Sequence, residues 1–202
     1  MTSSFQIRPA TSSDTVDAAQ TLGLAFADYP FTRHTVDSRD HQDRVRSLQR
    51  LFLTEIGLRI GNVWVSDDLA AVAVWITPSS TGLDAAFGDI ADQVTDLYGD
   101  RAEIAARADE ATACLRPTDH VWHLATVGVA PASQGRGLGR AVLEPGLKAA
   151  KDQGYAAYLE TSSPSNVAFY EGLGFEVTGS VSLPDNGPKV WAMLRARTAT
   201  DH

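Results

Sequence analysis

The sequence has a single cysteine, Cys114, among its 202 residues. One cysteine cannot form an intramolecular disulfide, which excludes the small disulfide-stabilised secreted folds and is typical of a protein from a reducing cytosol. No run of apolar residues approaches the length of about 20 that a membrane-spanning helix requires. The segment from Met1 to Gln6 also lacks the basic region and apolar core of a signal peptide. We therefore expect a cytoplasmic protein.

Positive charge is scarce as well. Lysine and arginine together number 17 and aspartate and glutamate 25, which gives a formal net charge of -8. Because nucleic-acid binding needs a basic surface, this balance argues against a nucleic-acid partner, and it suits a cationic small molecule. The length and the ordinary apolar content predict one globular domain over residues 1–202. We expect no membrane partner, and the oligomeric state stays open between monomer and homodimer.

Apolar periodicity switches repeatedly between strand-like and helical patterns, without internal repeats, which predicts an α/β domain. The two strands at 63–65 and 71–76 flank Asp67-Asp68 and predict an antiparallel hairpin. Residues 79–118 are rich in alanine and acidic residues, and we expect them to form an insertion of two helices. Other predicted strands lie at 5–8, 121–129, 156–159, 175–177 and 190–194, and other helices at 16–26, 39–58, 138–153 and 166–171, with a break at 29–34.

A glycine-rich segment, Gln134-Gly135-Arg136-Gly137-Leu138-Gly139, separates a strand ending at Val129 from a helix. Its exposed backbone N–H groups at a helix start predict a site for a phosphate group. A nucleotide-binding P-loop would need Lys and Ser or Thr after the last glycine, where Arg140 stands. A dinucleotide fingerprint would find an acidic residue at Glu160, but the glycine spacing and the long connection from the strand disfavour it. The alternative to a phosphate site is that the glycines only form a tight turn between the strand and the helix.

The same segment resembles motif A of the GCN5-related N-acetyltransferases, Gln/Arg-x-x-Gly-x-Gly/Ala. The segment 166–175, from Asn166 to Phe175, resembles that family's downstream signature, Asn-x-x-Ala-x-x-x-Tyr-x-x-x-Gly-Phe, with one residue fewer before Tyr170. The resemblance implies the family's fold, a mixed and mostly antiparallel twisted sheet of about six or seven strands. Its central strands would splay apart and helices would flank it. The resemblance also implies acetyl-CoA as co-substrate, without a metal.

In that family the loop amides and the helix start hold the pyrophosphate of acetyl-CoA, and the preceding strand pairs with its pantetheine arm. We expect Gly128 to be a bulge position in that strand. The resemblance assigns these residues to cofactor binding: Val127, Val129, Gln134, Gly135, Arg136, Gly137, Leu138, Gly139, Arg140, Asn166 and Tyr170.

Two catalytic roles need candidate residues, a proton donor and a proton acceptor. The resemblance implies that Tyr170 protonates the departing thiolate, for which a phenol with a pKa of about 10 is a competent donor; the alternative is that its ring merely packs under the sheet. No cysteine lies in the motifs, which predicts direct attack of the amine in a ternary complex. Since an α-amine has a pKa of about 7.7–8.0, a modest base suffices. Glu160 is the first candidate, and His123 is a weaker one.

Several segments outside the motifs resemble the puromycin-acetylating members of the family, namely residues 25–37, 63–68, 70–75, 124–129, 159–164 and 191–193. This implies transfer of the acetyl group to the primary α-amine of puromycin, which inactivates the antibiotic. The alternatives are another small amine or aminoacyl-nucleoside, or a non-catalytic acyl-CoA-binding sensor. We expect an aromatic, cationic acceptor to bind at Asp28, Tyr29, Phe31, His34, Trp75 and His123.

Overall fold

The computed structural model describes residues 5–197, in which a sheet is covered by helices on both faces. The strands are β1 (Ile7–Pro9), β2 (Asn62–Ser66), β3 (Ala71–Ile76), β4 (Trp122–Val129), β5 (Ala157–Thr161), β6 (Glu176–Ser182) and β7 (Lys189–Arg195). The helices are α1 (Thr15–Phe26), α2 (Pro30–Thr35), α3 (His41–Phe52), α4 (Leu58–Ile60), α5 (Leu83–Tyr98), α6 (Ala102–Ala113), α7 (Leu138–Asp152) and α8 (Pro164–Glu171). Within this range no helix is long and apolar enough to span a bilayer.

The seven strands form one sheet in the order β1-β2-β3-β4-β5-β7-β6. Neighbouring strands are antiparallel except β4 and β5. That parallel pair is short, because only Trp122 with Ala157 and His123 with Tyr158 are in register before the two strands separate. The predicted mixed, mostly antiparallel sheet with splayed central strands is confirmed.

The irregularity in β4 does not lie where the sequence analysis placed it. Leu124 pairs with Trp75 of β3 and Thr126 pairs with Val74, which leaves Ala125 as the extra residue of a bulge. The expectation of a bulge at Gly128 is wrong. A Cβ at Gly128 would lie 2.9 Å from the side chains of both Leu22 and Ala25 of α1, so this glycine allows the helix to pack closely on the strand.

The core has one part on each face of the sheet. Helix α7 covers one face, and its Val142 and Leu143 are fully buried beside Trp75 of β3. The helix can approach this closely because Gly146 has no side chain. A Cβ at this position would lie only 2.3 Å from the indole nitrogen of Trp75. Helix α1 covers the other face, where Leu22 is fully buried.

Two helical segments differ from the sequence prediction. Residues 29–34 were expected to be a non-helical break after the first helix, but Pro30–Thr35 form α2, since proline also favours the first position of a helix. The helix predicted over residues 39–58 is divided, because a turn of π-helix over Leu53–Gly57 separates α3 from α4.

The segment 79–118 contains the two expected helices, α5 and α6. Polar contacts attach it to the start of α3. Asp37 accepts hydrogen bonds from the guanidinium of Arg39 and from the backbone N–H of Asp100, and Arg44 donates to the carbonyls of Asp96 and Leu97. The pKa of Asp37 is lowered mainly by Arg39. The insertion is therefore fixed against the body of the domain and forms a wall of the cavity described next.

Candidate functional site

A cavity of about 1150 Å³ opens where β4 and β5 separate. It is lined by the glycine loop and the start of α7, and also by α3, the π-turn and α5. The ends of β4 and β5 and the start of α8 line it as well. One continuous space therefore joins the loop expected to bind phosphate to the insertion.

The glycine loop has the geometry of an anion site. Gly135 and Gly137 adopt φ values of 74° and 87°, which glycine tolerates and other residues rarely adopt. Gly137 is the N-cap of α7, and its carbonyl accepts from the N–H of Ala141. The preceding helical N–H groups have no acceptor within the helix, as at any helix start, and they carry the positive end of its dipole. This arrangement can hold a pyrophosphate.

Side chains fix the loop in place. The side-chain amide of Gln134 donates to the carbonyl of Val129 at 3.1 Å, which ties the loop to the end of β4. Arg140 donates to the carbonyl of Gly172 at 3.0 Å and so connects α7 with the end of α8. Beyond His123, the residues of β4 have no partner on β5, so their backbone is available to an extended ligand in the gap.

Tyr170 and Asn166 of α8 line the cavity. The ring of Tyr170 packs edge-on against Phe169 and Phe175, with centroids 5.2 and 5.8 Å away, and the residue is 5% exposed. Burial raises the pKa of the Tyr170 phenol above its usual value, so the phenol keeps its proton throughout the neutral range. The amide of Asn166 donates to the hydroxyl of Thr161 at 3.3 Å.

Hydrogen bonds connect the start of helix α2 with the end of β5. The hydroxyl of Tyr29 accepts a hydrogen bond from the backbone N–H of Ser162 at 2.7 Å and lies 2.9 Å from the hydroxyl of Thr161. The N–H of Phe31 donates to the hydroxyl of Ser162 at 3.1 Å. Tyr29 and Phe31, two of the residues expected to bind the acceptor, line the same cavity as Tyr170.

Charged and polar groups meet at the end of β5. Glu160 accepts a hydrogen bond from the hydroxyl of Tyr158 at 2.8 Å and lies 3.8 Å from the guanidinium of Arg116, which also pairs with Asp109. Burial raises the pKa of Glu160, whereas Tyr158 and Arg116 lower it. His123 is adjacent to Tyr158, with ring centroids 5.3 Å apart. Burial and the charge of Arg116 lower the pKa of His123 to about 4, so its imidazole is neutral.

The rest of the cavity wall is apolar. Rings of Phe52 in α3 and Phe87 in α5 face each other with centroids 6.2 Å apart, and Tyr98 closes the insertion side. Burial is the main reason why the pKa of Tyr98 is raised to about 12. This apolar lobe is completed by Phe26, Val45, Leu48, Ile56, Ile76 and Leu83.

Four of the predicted binding residues lie outside the cavity lining: Asp28, His34, Trp75 and Arg136. Trp75 is fully buried beneath α7 and cannot touch an acceptor. Asp28 is exposed and pairs with Arg33. His34 is buried against the turn between β6 and β7, where a Cβ at Gly187 would lie 2.5 Å from its Nε2 atom. The structure therefore gives no support to these assignments, while the remaining predicted residues line one space.

No sequence motif points to Arg116, Asp109 or Tyr158 as site residues. Arg116 and Asp109 belong to the insertion, which carries no motif, and only the fold places them beside Glu160. Tyr158 stands two residues before Glu160 on the same strand, so strand periodicity already put both side chains on one face. This two-residue spacing was the one sequence signal that could have linked Tyr158 to Glu160.

Comparisons with known proteins agree with this geometry. Residues 98–175 match the family model described as the acetyltransferase (GNAT) family. An uncharacterized N-acetyltransferase of Schizosaccharomyces pombe is 38% identical over 72 residues, which is 36% of this chain and 29% of that protein. The mycothiol acetyltransferase of Paenarthrobacter aurescens is 39% identical over 62 residues, 29% of this chain and 19% of that protein. The chain thus spans less than a third of the length of these curated relatives.

Among solved structures, the histone acetyltransferase HPA2 and related acetyltransferase of Corynebacterium glutamicum is similar over nearly the whole chain. The TM-score is 0.76 at 25% identity, and the match covers 98% of this chain and 99% of that one. The chain therefore has the GNAT acetyltransferase fold, and residues 98–175 carry that family's sequence pattern. The finer resemblance to puromycin-acetylating members stays a prediction.

Proposed function

We propose that this protein is an acetyl-CoA-dependent N-acetyltransferase whose acceptor is the primary α-amine of puromycin or a closely similar aromatic aminoacyl-nucleoside. The observation that carries the proposal is one continuous cavity lined by the glycine loop, the Tyr170 phenol and the Glu160 carboxylate. These are an anion cradle, a proton donor and a proton acceptor. Together they satisfy the three requirements of acyl transfer from a phosphate-bearing thioester to an amine.

The loop amides and the free edge of β4 would bind the pyrophosphate and pantetheine arm of acetyl-CoA. This places the thioester in the gap between β4 and β5. The cofactor-binding role extends to Val127, Val129, Gln134, Leu138, Gly139 and Arg140, all of which line the cavity.

Each residue at the reacting end has one role. The amine nitrogen attacks the thioester carbonyl carbon and forms the new C–N bond, and its proton passes to Glu160 directly or through one water. The C–S bond then breaks, and the leaving sulfur takes the proton of Tyr170. Because burial raises the pKa of the Tyr170 phenol, the proton is available at every neutral pH. No covalent acetyl-enzyme is required, which agrees with the absence of cysteine from the cavity lining among residues 5–197.

The apolar lobe supports a bulky aromatic acceptor over a small polar amine. Phe52, Phe87 and Tyr98 offer ring surfaces for an aryl group, and aromatic pairs add about 0.5–1.5 kcal/mol beyond their area burial. Glu160 and Asp109, with the guanidinium of Arg116 between them, leave one net negative charge that attracts an ammonium group. A neutral His123 beside them removes one source of repulsion.

The test is a CoA-release assay on the purified protein with a panel of amines, puromycin first. We expect puromycin to give the highest kcat/KM, with mass spectrometry showing one added acetyl group on its α-amine. Faster turnover of a different amine would leave the enzyme class intact and contradict the acceptor. Tight acetyl-CoA binding without turnover of any amine would instead favour the acyl-CoA sensor.

A further inference from the structure

We propose that Arg116 is a positioning residue for Glu160, through which the helical insertion keeps the reacting carboxylate charged and directed into the cavity. This proposal rests on the role of Glu160 as proton acceptor in the proposed function. It assigns a task to the insertion, which carries neither of the two motifs.

The contacts around Arg116 lead from the insertion to the strand that bears Glu160. Arg116 follows α6, where its backbone N–H donates to the carbonyl of Ala113 at 3.3 Å. Its guanidinium pairs with Asp109 of α6 on one side and approaches Glu160 Oε1 to 3.8 Å on the other. Asp109, Arg116 and Glu160 all line the cavity. The guanidinium therefore bridges two carboxylates at the edge of the acceptor space.

Tyr158 connects the same two elements a second time. Its hydroxyl lies 2.8 Å from Glu160 Oε1 and 3.2 Å from the backbone carbonyl of Leu115, the residue before Arg116. One phenolic proton cannot serve both acceptors fully, and the charged carboxylate at the shorter distance is the stronger partner. Oxygen Oε1 thus faces both a hydroxyl donor and a cation, which leaves the other carboxylate oxygen for the acceptor amine.

Two groups favour the charged form of Glu160, first the Tyr158 hydroxyl and then Arg116, and Arg116 is the one of them that carries a positive charge. Burial favours the uncharged carboxylic acid, and Asp109 of α6 acts in the same direction. Tyr158 of β5 and Arg116 oppose them. His123 of β4 is neutral, since its pKa is lowered to about 4. Among the described residues, Arg116 is the cationic side chain within ion-pair distance of Glu160. Without it, a largely buried carboxylate would face a second carboxylate and would bind a proton more readily.

The catalytic consequence concerns proton transfer. A protonated Glu160 cannot accept the proton of the attacking amine, so the loss of Arg116 lowers kcat most at low pH. The thioester end of the site is unaffected, because the glycine loop and Tyr170 do not contact Arg116. The variant should therefore retain acetyl-CoA affinity.

The experiment compares the wild type with Arg116→Met, Arg116→Lys and the matched control Arg46→Met. Arg46 pairs with Asp43 and is 47% exposed, against 45% for Arg116, but it lies outside the cavity lining. The first readout is an NMR titration of the ¹³C-labelled Glu160 carboxyl, assigned by its loss in Glu160→Gln. The second is kcat against pH with both substrates saturating, which reports the groups of the bound complex.

We expect Arg116→Met to raise the pKa of Glu160. Arg116→Lys, which keeps the positive charge, should leave that pKa close to the wild-type value, and Arg46→Met should leave it unchanged. Between about pH 8 and about pH 6, kcat of Arg116→Met should fall about tenfold more than that of the wild type. An unchanged Glu160 titration in Arg116→Met overturns the proposal. If that variant does not fold, Arg116→Gln, which also removes the positive charge, takes its place in the same comparison.

The same set separates this proposal from the proposed function. Full turnover by Glu160→Gln would show that Glu160 is not the base, while the titration still decides whether Arg116 holds its charge. Lost turnover in Glu160→Gln with an unchanged titration in Arg116→Met would contradict the role of Arg116 alone.

Discussion

Replacing Tyr170 with phenylalanine tests the proposed proton donor with little structural disturbance. The Tyr170 ring packs against Phe169 and Phe175, and Tyr170→Phe removes only the hydroxyl and keeps this packing. We expect the free energy of unfolding to change by less than about 1 kcal/mol. Turnover should fall by roughly 10²–10⁴-fold, because the thiolate loses its proton donor.

That loss corresponds to about 2.7–5.5 kcal/mol of transition-state stabilisation. The assay is CoA release at saturating acetyl-CoA and amine, with thermal unfolding as the check on folding. Tyr155→Phe is the matched control, since Tyr155 is 37% exposed and lies outside the cavity lining. Because the pKa of Tyr170 is raised, its loss of a proton should contribute no basic limb below about pH 10. Turnover within twofold of the wild type at every pH would refute the reasoning.

Three further predictions concern the loop, the acceptor lobe and stability. Gly137→Glu should abolish acetyl-CoA binding in calorimetry, whereas Gly154→Glu, also at a positive φ with open space around it, should retain it. Phe87→Ala should raise the KM for aromatic acceptors about tenfold, whereas Val177→Ala, equally exposed on β6, should not. Asp14 pairs with the arginine of β1, which lowers its carboxyl pKa. Asp14→Asn should therefore lower Tm at pH 7, and the difference should vanish as pH falls well below the usual carboxyl value of about 3.9. A difference that persists unchanged in acid would contradict this.

The parts of the fold that the sequence predicts well have strong local signals. The hairpin of β2 and β3 follows from two apolar runs around a short polar turn, and α7 follows from the glycines before it and Gly154 after it. Residues 29–34 have no such clear local signal, and their helix was not predicted. Tyr29-Pro30 disfavours continuation of the preceding helix but equally starts a new one, and only the packing of α2 on Ser162 decides between them.

The candidate site divides in the same way. Local motifs predict the loop, Asn166 and Tyr170, since each is defined by spacing along one element. Trp75 illustrates the limit, because an aromatic residue in a strand has the same periodicity whether it faces a ligand or the core. Arg116 illustrates another, since its partner Glu160 is distant in sequence and only tertiary structure brings them together.

The contacts of Tyr29 with Thr161 and Ser162 have a consequence for the order of folding. They join residues more than 130 positions apart, so we expect the acceptor wall to close only after the intervening sheet has formed. Loop-closure entropy makes such long-range pairings slow, whereas the glycine loop and α7 form from neighbours in sequence. During refolding, acetyl-CoA binding should therefore recover before amine turnover, and the segment 98–175 alone would lack the wall that selects the acceptor.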